Sequence, residues 1–154
     1  MKRTLSPVEE SLLESLAEIF RGSARELVRQ LNEWCESLPC HVRIVEGRRS
    51  RETQEERYAV GRRKNPDGTW TRVGAVKTNA PPGSSPHEWG LAVDFALITD
   101  AKPQGYLPDG HDGWNEIGRR AKALGLVWGG DFRKLVDKPH VEIANWRKLT
   151  RPGG

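Results

Sequence analysis

The feature that most constrains this fold is an alternating segment at residues 90–97, Gly-Leu-Ala-Val-Asp-Phe-Ala-Leu. The alternation predicts a β-strand in which Leu91, Val93 and Phe95 face one side, while Asp94 lies between two alanines on the other side. A carboxylate on an apolar strand face is costly unless a positive charge neutralises it. Two interpretations of Asp94 therefore stay open at this point, a salt bridge and a metal ion.

A similar combination recurs near the C-terminus, where residues 136–143 read Val-Asp-Lys-Pro-His-Val-Glu-Ile. Pro139 keeps the backbone extended, and His140 and Glu142 share one face of the short strand that follows. His87 lies just before the first strand. Together with Asp94, the two histidines would give three zinc ligands and leave a fourth position for water, which is the pattern of catalytic zinc sites.

Asp137 precedes His140 by three residues on a predicted turn, which makes it the candidate general base. The helical motif H-E-x-x-H does not apply, because Leu91 stands where the second histidine must be, and Glu88 is not assigned as a base. Taken alone, a histidine is more often a structural residue than a ligand, so the hypothesis depends on the combination. Glu142 is interpreted either as an acceptor that orients a metal-bound histidine or as a surface salt-bridge partner.

The remaining pattern predicts an α+β domain in which helices pack on a small, mainly antiparallel sheet. Two capping boxes, at Ser6 and at Ser23 after Gly22, predict a first helix to about residue 21 and a second to about residue 39. Further helices are predicted at 50–60 and 114–124, strands at 41–46, 70–76, 126–128 and 140–143, and a loop at 77–88.

The chain has 154 residues, and we predict one catalytic domain over 1–154, with a helical pair at 1–39 packed on a metallopeptidase core at 40–146. The formal charge of +4 and a pI near 9.3 are compatible with polyanion binding. Acidic residues interrupt the densest basic region, however, as on a solvated helix, so no nucleic-acid partner is expected. Cys35 and Cys40 are expected to be reduced structural thiols.

The N-terminus carries acidic residues where a signal peptide has its apolar segment, and no apolar run approaches the ~18 residues of a membrane span. We therefore expect a chain made in the cytoplasm without an export signal and without stable membrane insertion.

Four motifs resemble one family, the zinc peptidoglycan peptidases related to D-alanyl-D-alanine carboxypeptidases and to bacteriophage L-alanyl-D-glutamate endopeptidases. The resemblance covers about residues 40–146. The family pattern Ser-x-His-x-x-Gly-x-Ala-x-Asp is present in full, and an Asp-x-x-His pair follows downstream. The matching positions are Ser85, His87, Gly90, Ala92 and Asp94; Asp137 and His140; Gly47, Arg48, Arg49, Ser50 and Gln54; and Trp128, Gly129, Gly130 and Asp131.

The resemblance implies the fold of the D-Ala-D-Ala peptidases and hedgehog-like domains, with a zinc ion held at the sheet by His87, Asp94 and His140. It also implies that Asp137 is the acid/base and that Arg49 faces the substrate carbonyl. Arg48 stands where an aromatic residue is common in the family and competes for that second role, but the register with Ser50 and Gln54 favours Arg49. An Asp rather than a Glu as the base favours the phage endopeptidase branch.

Other residues are assigned less specific roles. Ser85 is interpreted as a loop cap or a substrate contact, Gln54 as a residue near the substrate, and Trp89 and Trp128 as walls of the substrate cleft. His41 and His111 are left outside the site.

The resulting hypothesis is a zinc-dependent endopeptidase that hydrolyses the L-Ala-D-Glu bond of peptidoglycan stem peptides. A phage or prophage endolysin is expected, released to the periplasm through a membrane lesion made by a holin. One alternative is a D-alanyl-D-alanine carboxypeptidase or dipeptidase. A second, of another class, is a non-enzymatic module that binds zinc or a polyanion.

Overall fold

The computed structural model describes residues 3–150, so the outermost residues of the predicted span 1–154 lie outside the described part. Helices and strands alternate along the chain without a regular strand-helix repeat. The elements are α1 (Pro7–Glu14), α2 (Glu18–Cys35), β1 (Cys40–Glu46), α3 (Arg51–Ala59), β2 (Arg62–Lys64), β3 (Trp70–Arg72), a 3₁₀ turn (Pro86–Trp89), β4 (Ala92–Thr99), α4 (Gly113–Ala123), β5 (Val127–Trp128), a second 3₁₀ turn (Gly129–Asp131), β6 (His140–Glu142) and α5 (Trp146–Leu149).

Four strands form one sheet in the order β1-β4-β6-β5, and every neighbouring pair is antiparallel. Strands β2 and β3 form a separate hairpin around a turn at residues 65–68. The predicted class, an α+β fold with a small antiparallel sheet, is therefore confirmed.

The register of the sheet brings three polar side chains into one row. Asp94 on β4 lies opposite His140 on β6 and opposite Glu46 on β1, and a β-bulge between Ile44 and Glu46 shifts the pairing at that point. Side chains of directly opposed residues lie on the same face, about 5 Å apart. The row Glu46, Asp94, His140 is thus a property of strand pairing, and the bulge is what brings Glu46 into it.

The opposite face of the sheet packs against α1, α2 and α4. The α2 residues Phe20, Leu27 and Leu31 are fully buried there, together with the β4 residues Val93 and Phe95. Burying a side chain of this size stabilises the fold by roughly 1.5–3 kcal/mol. The strand that carries Asp94 is therefore anchored by its apolar face.

The predicted break between the first two helices is wrong. Gly22 and Ser23 lie inside α2, and the chain breaks instead at residues 15–17. At this break Ala17 N donates to Gly90 O at 2.9 Å, and the hydroxyl of Ser15 accepts from Arg48 N at 3.0 Å. The break thus depends on contacts with segments far away in sequence, which local propensity cannot reveal.

Other boundaries also differ from the predictions. The strand predicted at 70–76 ends at Arg72, the predicted loop at 77–88 contains most of the first 3₁₀ turn, and helix α5 was not predicted. The helix predicted at 50–60 is α3, and the Ser50 hydroxyl caps it by accepting from Thr53 N.

Glu9 ties α1 to the edge of the sheet, and we expect its replacement by Gln to lower stability in a pH-dependent way. Its buried carboxylate accepts from Arg3 Nη2 at 2.5 Å and from Ile44 N at 3.1 Å. Burial opposes ionisation, but these hydrogen bonds, with the one from Ser6 N, outweigh it and lower the pKa of Glu9. The stabilisation is therefore present above the ordinary pKa of Glu and is lost as the pH falls through the lowered value.

In urea unfolding at pH 7, Glu9→Gln is expected to lower the free energy of unfolding by about 1–3 kcal/mol. The decrease should be smaller near pH 3. Glu10→Gln is the matched control, because Glu10 is exposed and pairs with Arg25 at the surface. An equal cost for both variants at pH 7 would contradict this assignment.

Cys35 and Cys40 are buried free thiols at the junction of α2 and β1. Burial raises the pKa of Cys35 to about 12, so the protonated, unreactive thiol dominates at neutral pH. Among the helices of residues 3–150, none combines the length and apolarity needed to cross a membrane.

Candidate metal centre

Three ligand atoms converge at the cavity face of β4. Asp94 Oδ1 lies 3.1 Å from His87 Nε2 and 3.1 Å from His140 Nδ1, and the two imidazole nitrogens are 3.2 Å apart. Both histidines are buried, and Asp94 is half-buried. The structure therefore brings together the three residues predicted as metal ligands.

His87 is placed by the first 3₁₀ turn, which a capping box defines. The Ser85 hydroxyl accepts from His87 N, and the Glu88 carboxylate accepts from the backbone N–H groups of Ser85 and Gly83. Gly90 ends the turn in the left-handed region at φ 69°, where a side chain would also collide with Ala17 N. Ser85 thus has the loop-capping role that was one of its two interpretations.

The second nitrogen of each imidazole is held by a protein acceptor. His87 Nδ1 donates to Gly47 O at 2.9 Å, and His140 Nε2 donates to a Glu142 carboxylate oxygen at 2.7 Å. Partners of this kind fix the orientation of metal-binding histidines. Glu142 therefore has the position expected of an acceptor that orients His140, rather than that of a surface salt-bridge residue.

The electrostatics of the cluster favour a bound cation. Burial opposes ionisation of Asp94, but the hydrogen bonds to His140 and His87 outweigh it and hold the pKa of Asp94 well below its usual range. Burial likewise favours neutral His140, yet its hydrogen bonds to Asp94 and Glu142 raise the pKa of His140 to about 10. An ionised Asp94 beside the two imidazoles thus attracts a positive charge to the cluster.

The donor set fits zinc in particular. Two imidazole nitrogens and one carboxylate oxygen are ligands that Zn²⁺ prefers, and three protein ligands are typical of its catalytic sites. Roughly 2.0–2.1 Å bonds in tetrahedral geometry place ligand atoms about 3.3 Å apart. The observed separations of 3.1–3.2 Å are close to that spacing. The predicted zinc cofactor agrees with this geometry.

Asp137 lies in the loop before β6 and lines the same cavity. Its backbone N–H donates to Gly129 O at 2.9 Å, and its carbonyl accepts from His140 N at 3.1 Å. A side chain at Gly129 would lie 2.2 Å from the Asp137 carbonyl oxygen, so this close approach requires glycine. Burial, and then the negative charge of Asp94, raise the pKa of Asp137. A carboxylate with a raised pKa is suited to accepting and returning a proton.

Arg49 also lines the cavity, and a network of side chains holds it there. Its Nε donates to a Glu46 oxygen, and its Nη1 donates to Gln54 Oε1 at 2.6 Å. The other Glu46 oxygen accepts from Arg57 Nη2 at 2.8 Å. Arg48, the competing residue, is exposed and does not line the cavity. The geometry therefore favours Arg49 over Arg48 for a contact with substrate.

The metal cluster and Asp137 lie in a cavity of about 590 Å³. Apolar side chains, loop backbone and several basic residues line the rest of it. The lining residues are Arg49, Arg57, Lys77, Thr78, Asn79, Ala80, Ser84, Ser85, Pro86, His87, Asp94, Phe132, Lys134, Leu135, Val136, Asp137, His140, Glu142, Trp146 and Arg147.

Three residues predicted near the substrate lie elsewhere. Trp89 is 38% exposed and donates to Gly83 O outside the cavity lining. Trp128 is buried, and its Nε1 donates to Lys138 O at 2.8 Å, which supports the loop that carries Asp137. Gln54 is fully buried and links Arg49 to Ala80 O.

The two histidines left outside the site remain outside the cavity. His41 contacts Asp100 at 2.7 Å, and His111 accepts from Gly113 N at the start of α4.

Sequence reasoning did not identify Glu46 or Trp146 as residues of this region. Glu46 appears in the sequence as the polar end of an alternating strand, and the bulge sets it opposite Asp94. There it pairs with Arg49, three residues further along the chain. Trp146 lies on α5, where it packs in the core and lines the cavity. A lone tryptophan after a short strand carries no sequence signal for such a position.

A buried His-Asp-His cluster beside a carboxyl group and a positioned arginine, built on an antiparallel α+β sheet, has the architecture of a zinc metallopeptidase domain. Comparison with known proteins shows which family the chain resembles. Residues 78–143 match the sequence profile described as D-alanyl-D-alanine carboxypeptidase. The resemblance inferred from the four motifs is therefore confirmed.

Two curated relatives extend this match. The chain is 39% identical over 109 residues to the peptidoglycan L-alanyl-D-glutamate endopeptidase CwlK of Bacillus subtilis, covering 66% of this chain and 60% of that protein. It is 29% identical over 128 residues to an L-alanyl-D-glutamate peptidase of a Listeria phage, covering 83% of this chain and 38% of that protein. The chain thus spans less than two thirds of either relative.

Among solved structures, the L-Ala D-Glu endopeptidase ChiX of Serratia marcescens superposes with a TM-score of 0.59 at 21% identity. The alignment covers 96% of this chain and 94% of ChiX, so the two share a fold over nearly their whole lengths.

Proposed function

We propose that this chain is a zinc-dependent endopeptidase that hydrolyses the L-Ala-D-Glu bond of peptidoglycan stem peptides. The observation that carries the proposal is the cavity that holds the His87, Asp94 and His140 cluster next to Asp137 and Arg49. The substrate is suggested by the names of the curated relatives from Bacillus subtilis and the Listeria phage.

When bound, zinc would polarise the scissile carbonyl and bring the pKa of a water molecule toward about 7. In the mechanism we propose, Asp137 takes a proton from the attacking water and returns it to the departing amine. Arg49 donates hydrogen bonds to the negative charge that develops on the carbonyl oxygen. Because Glu46 and Gln54 hold its guanidinium, little rearrangement is needed during the reaction.

The test is digestion of purified sacculi, followed by mass spectrometry of the released peptides. New D-Glu amino termini are expected. Release of single D-Ala residues would instead support the carboxypeptidase alternative, which the description of the matching family profile favours. Zinc or polyanion binding without any released peptide would support the non-enzymatic module.

Glu46 offers a test of how Arg49 is positioned. We expect Glu46→Gln to lower kcat/KM by about ten- to hundredfold, because the neutral amide cannot hold both guanidinium groups. The loss should appear mainly in kcat, with zinc content and unfolding midpoint close to wild type. Glu55→Gln is the control, since Glu55 pairs with the exposed Lys64. A wild-type kcat for Glu46→Gln would contradict the role of Glu46.

The biological setting is part of the proposal. A phage relative supports an endolysin that acts on the wall after a holin opens the membrane, whereas the Bacillus relative is a bacterial protein. Expression in bacterial cells should leave them intact until a membrane-permeabilising agent is added, and lysis should then follow. Lysis without permeabilisation would contradict dependence on a holin.

A further inference from the structure

The cavity lining carries more basic side chains than the zinc site and the proposed mechanism use. Five basic side chains line the cavity, against three acidic ones. The basic residues are Arg49, Arg57, Lys77, Lys134 and Arg147, and the acidic residues are Asp94, Asp137 and Glu142. The excess positive charge predicts an anionic ligand.

The three carboxylates already have partners or roles. Asp94 belongs to the metal cluster, Glu142 accepts from His140, and Asp137 is the proposed proton carrier. Arg49 and Arg57 are both held by Glu46, which does not line the cavity. Within residues 3–150, the other three basic residues form no ion pair, so their charges remain available to a ligand.

Two of these three residues lie on the segments that flank the Asp137–His140 region. Lys134 precedes Asp137 by three residues, on a loop secured by packing of Phe132 on the His140 ring at 5.6 Å. Arg147 is on α5, and its guanidinium lies 4.7 Å from the centre of the Trp146 ring. A guanidinium over an aromatic ring is held in place while its N–H groups stay free to donate.

The chemistry of the proposed substrate places a carboxylate near Asp137. In an L-Ala-D-Glu bond, the departing amine that Asp137 protonates belongs to the D-glutamyl residue. Glutamate has two carboxyl groups, and at most one continues the peptide. The other is a free carboxylate, unless it has been amidated, and it lies within a few bonds of the departing nitrogen.

We propose that Lys134 and Arg147 bind this free carboxylate, so that the enzyme selects stem peptides whose D-glutamyl residue is not amidated. The inference rests on the proposed L-Ala-D-Glu endopeptidase function and adds a specificity determinant to it. Both side chains are solvent-exposed, so each charged contact contributes less than a buried one would. Loss of one contact should therefore lower kcat/KM roughly five- to tenfold.

The test compares two synthetic tripeptides that contain L-Ala-D-Glu and differ only in the free glutamyl carboxyl group, which is a carboxylate in one and a carboxamide in the other. The wild-type zinc enzyme is expected to cleave the carboxylate peptide at least fivefold more efficiently. Lys134→Gln and Arg147→Gln should each reduce cleavage of the carboxylate peptide and leave cleavage of the amide nearly unchanged.

The chain supplies matched controls for both variants. Arg133 and Lys148 are the sequence neighbours of Lys134 and Arg147, are exposed and do not line the cavity. Arg133→Gln and Lys148→Gln change the net charge equally, so they remove long-range attraction without removing the proposed contact. Equal losses in the control and test variants, or equal cleavage of both peptides by the wild type, would overturn the proposal.

Failure of the proposed endopeptidase function can be distinguished from failure of the proposed carboxylate site. If neither peptide is cleaved, the endopeptidase assignment fails. Calorimetric binding to the zinc-loaded Asp137→Asn protein then tests the carboxylate site alone. Tighter binding of the carboxylate peptide that depends on Lys134 and Arg147 would support the site, and equal binding of the two peptides would overturn it.

Discussion

Replacing Asp137 by Asn is expected to lower peptidoglycan hydrolysis by about 10²- to 10⁴-fold while zinc stays bound, which is the range for loss of a general acid/base. Asn matches the shape of Asp but cannot accept a proton from water and return it to the amine. The backbone contacts of this residue with Gly129 and His140 do not involve its side chain and should persist. The measurement is release of new amino termini from sacculi, with zinc content determined on the same samples.

Asp131→Asn is the matched control for Asp137→Asn. Asp131 is an exposed carboxylate six residues upstream, paired with Lys122 at 3.2 Å and outside the cavity lining. Its replacement should leave activity near wild type. Nearly full activity of Asp137→Asn with zinc bound would refute the role of Asp137 and direct attention to another proton carrier.

His140→Ala is expected to abolish both zinc retention and hydrolysis. This substitution removes one of three ligands and leaves the Asp94 and Glu142 carboxylates without their shared imidazole partner. We expect about one zinc per wild-type chain after dialysis and almost none in the variant. Added zinc should raise the unfolding temperature of the wild type and not that of the variant, because only a folded chain with the complete site gains binding energy.

His111→Ala is the control for ligand loss, because His111 lies outside the cavity and contacts the backbone at the start of α4. Chelation of the wild-type protein should reproduce the inactivity of His140→Ala, and added zinc should reverse it. Stoichiometric zinc and normal activity in His140→Ala would exclude His140 as a ligand.

Much of the site could be predicted because charged or ionisable side chains stand at strand positions where the surrounding pattern is apolar. Asp94 in an apolar strand and His140 with Glu142 on one strand face each require a compensating partner. The structure places Asp94 and His140 in one cluster, and His87 is the third residue of that cluster. The loop-cap interpretation of Ser85 also rests on a local pattern, because the capping box that Ser85 forms with Glu88 spans only four residues.

The features that sequence did not reveal depend on contacts between distant segments. The helix break at residues 15–17 occurs where the chain meets Gly90 and Arg48, although Gly22 offered the stronger local signal. Trp128 was expected to form a wall of the substrate cleft. Its indole N–H instead donates to the carbonyl of Lys138, next to Asp137 in the loop.

By itself, the sequence determined the chemistry of this protein: the ligand types, the acid/base candidate and the antiparallel α+β class all follow from side-chain chemistry and local periodicity. Only the tertiary structure decided how that chemistry is held. The β-bulge that sets Glu46 opposite Asp94, and the cavity whose lining includes Asp94, Asp137 and Arg147, arise from strand pairing and loop packing. Such contacts join residues that are far apart in the chain, so no local pattern encodes them.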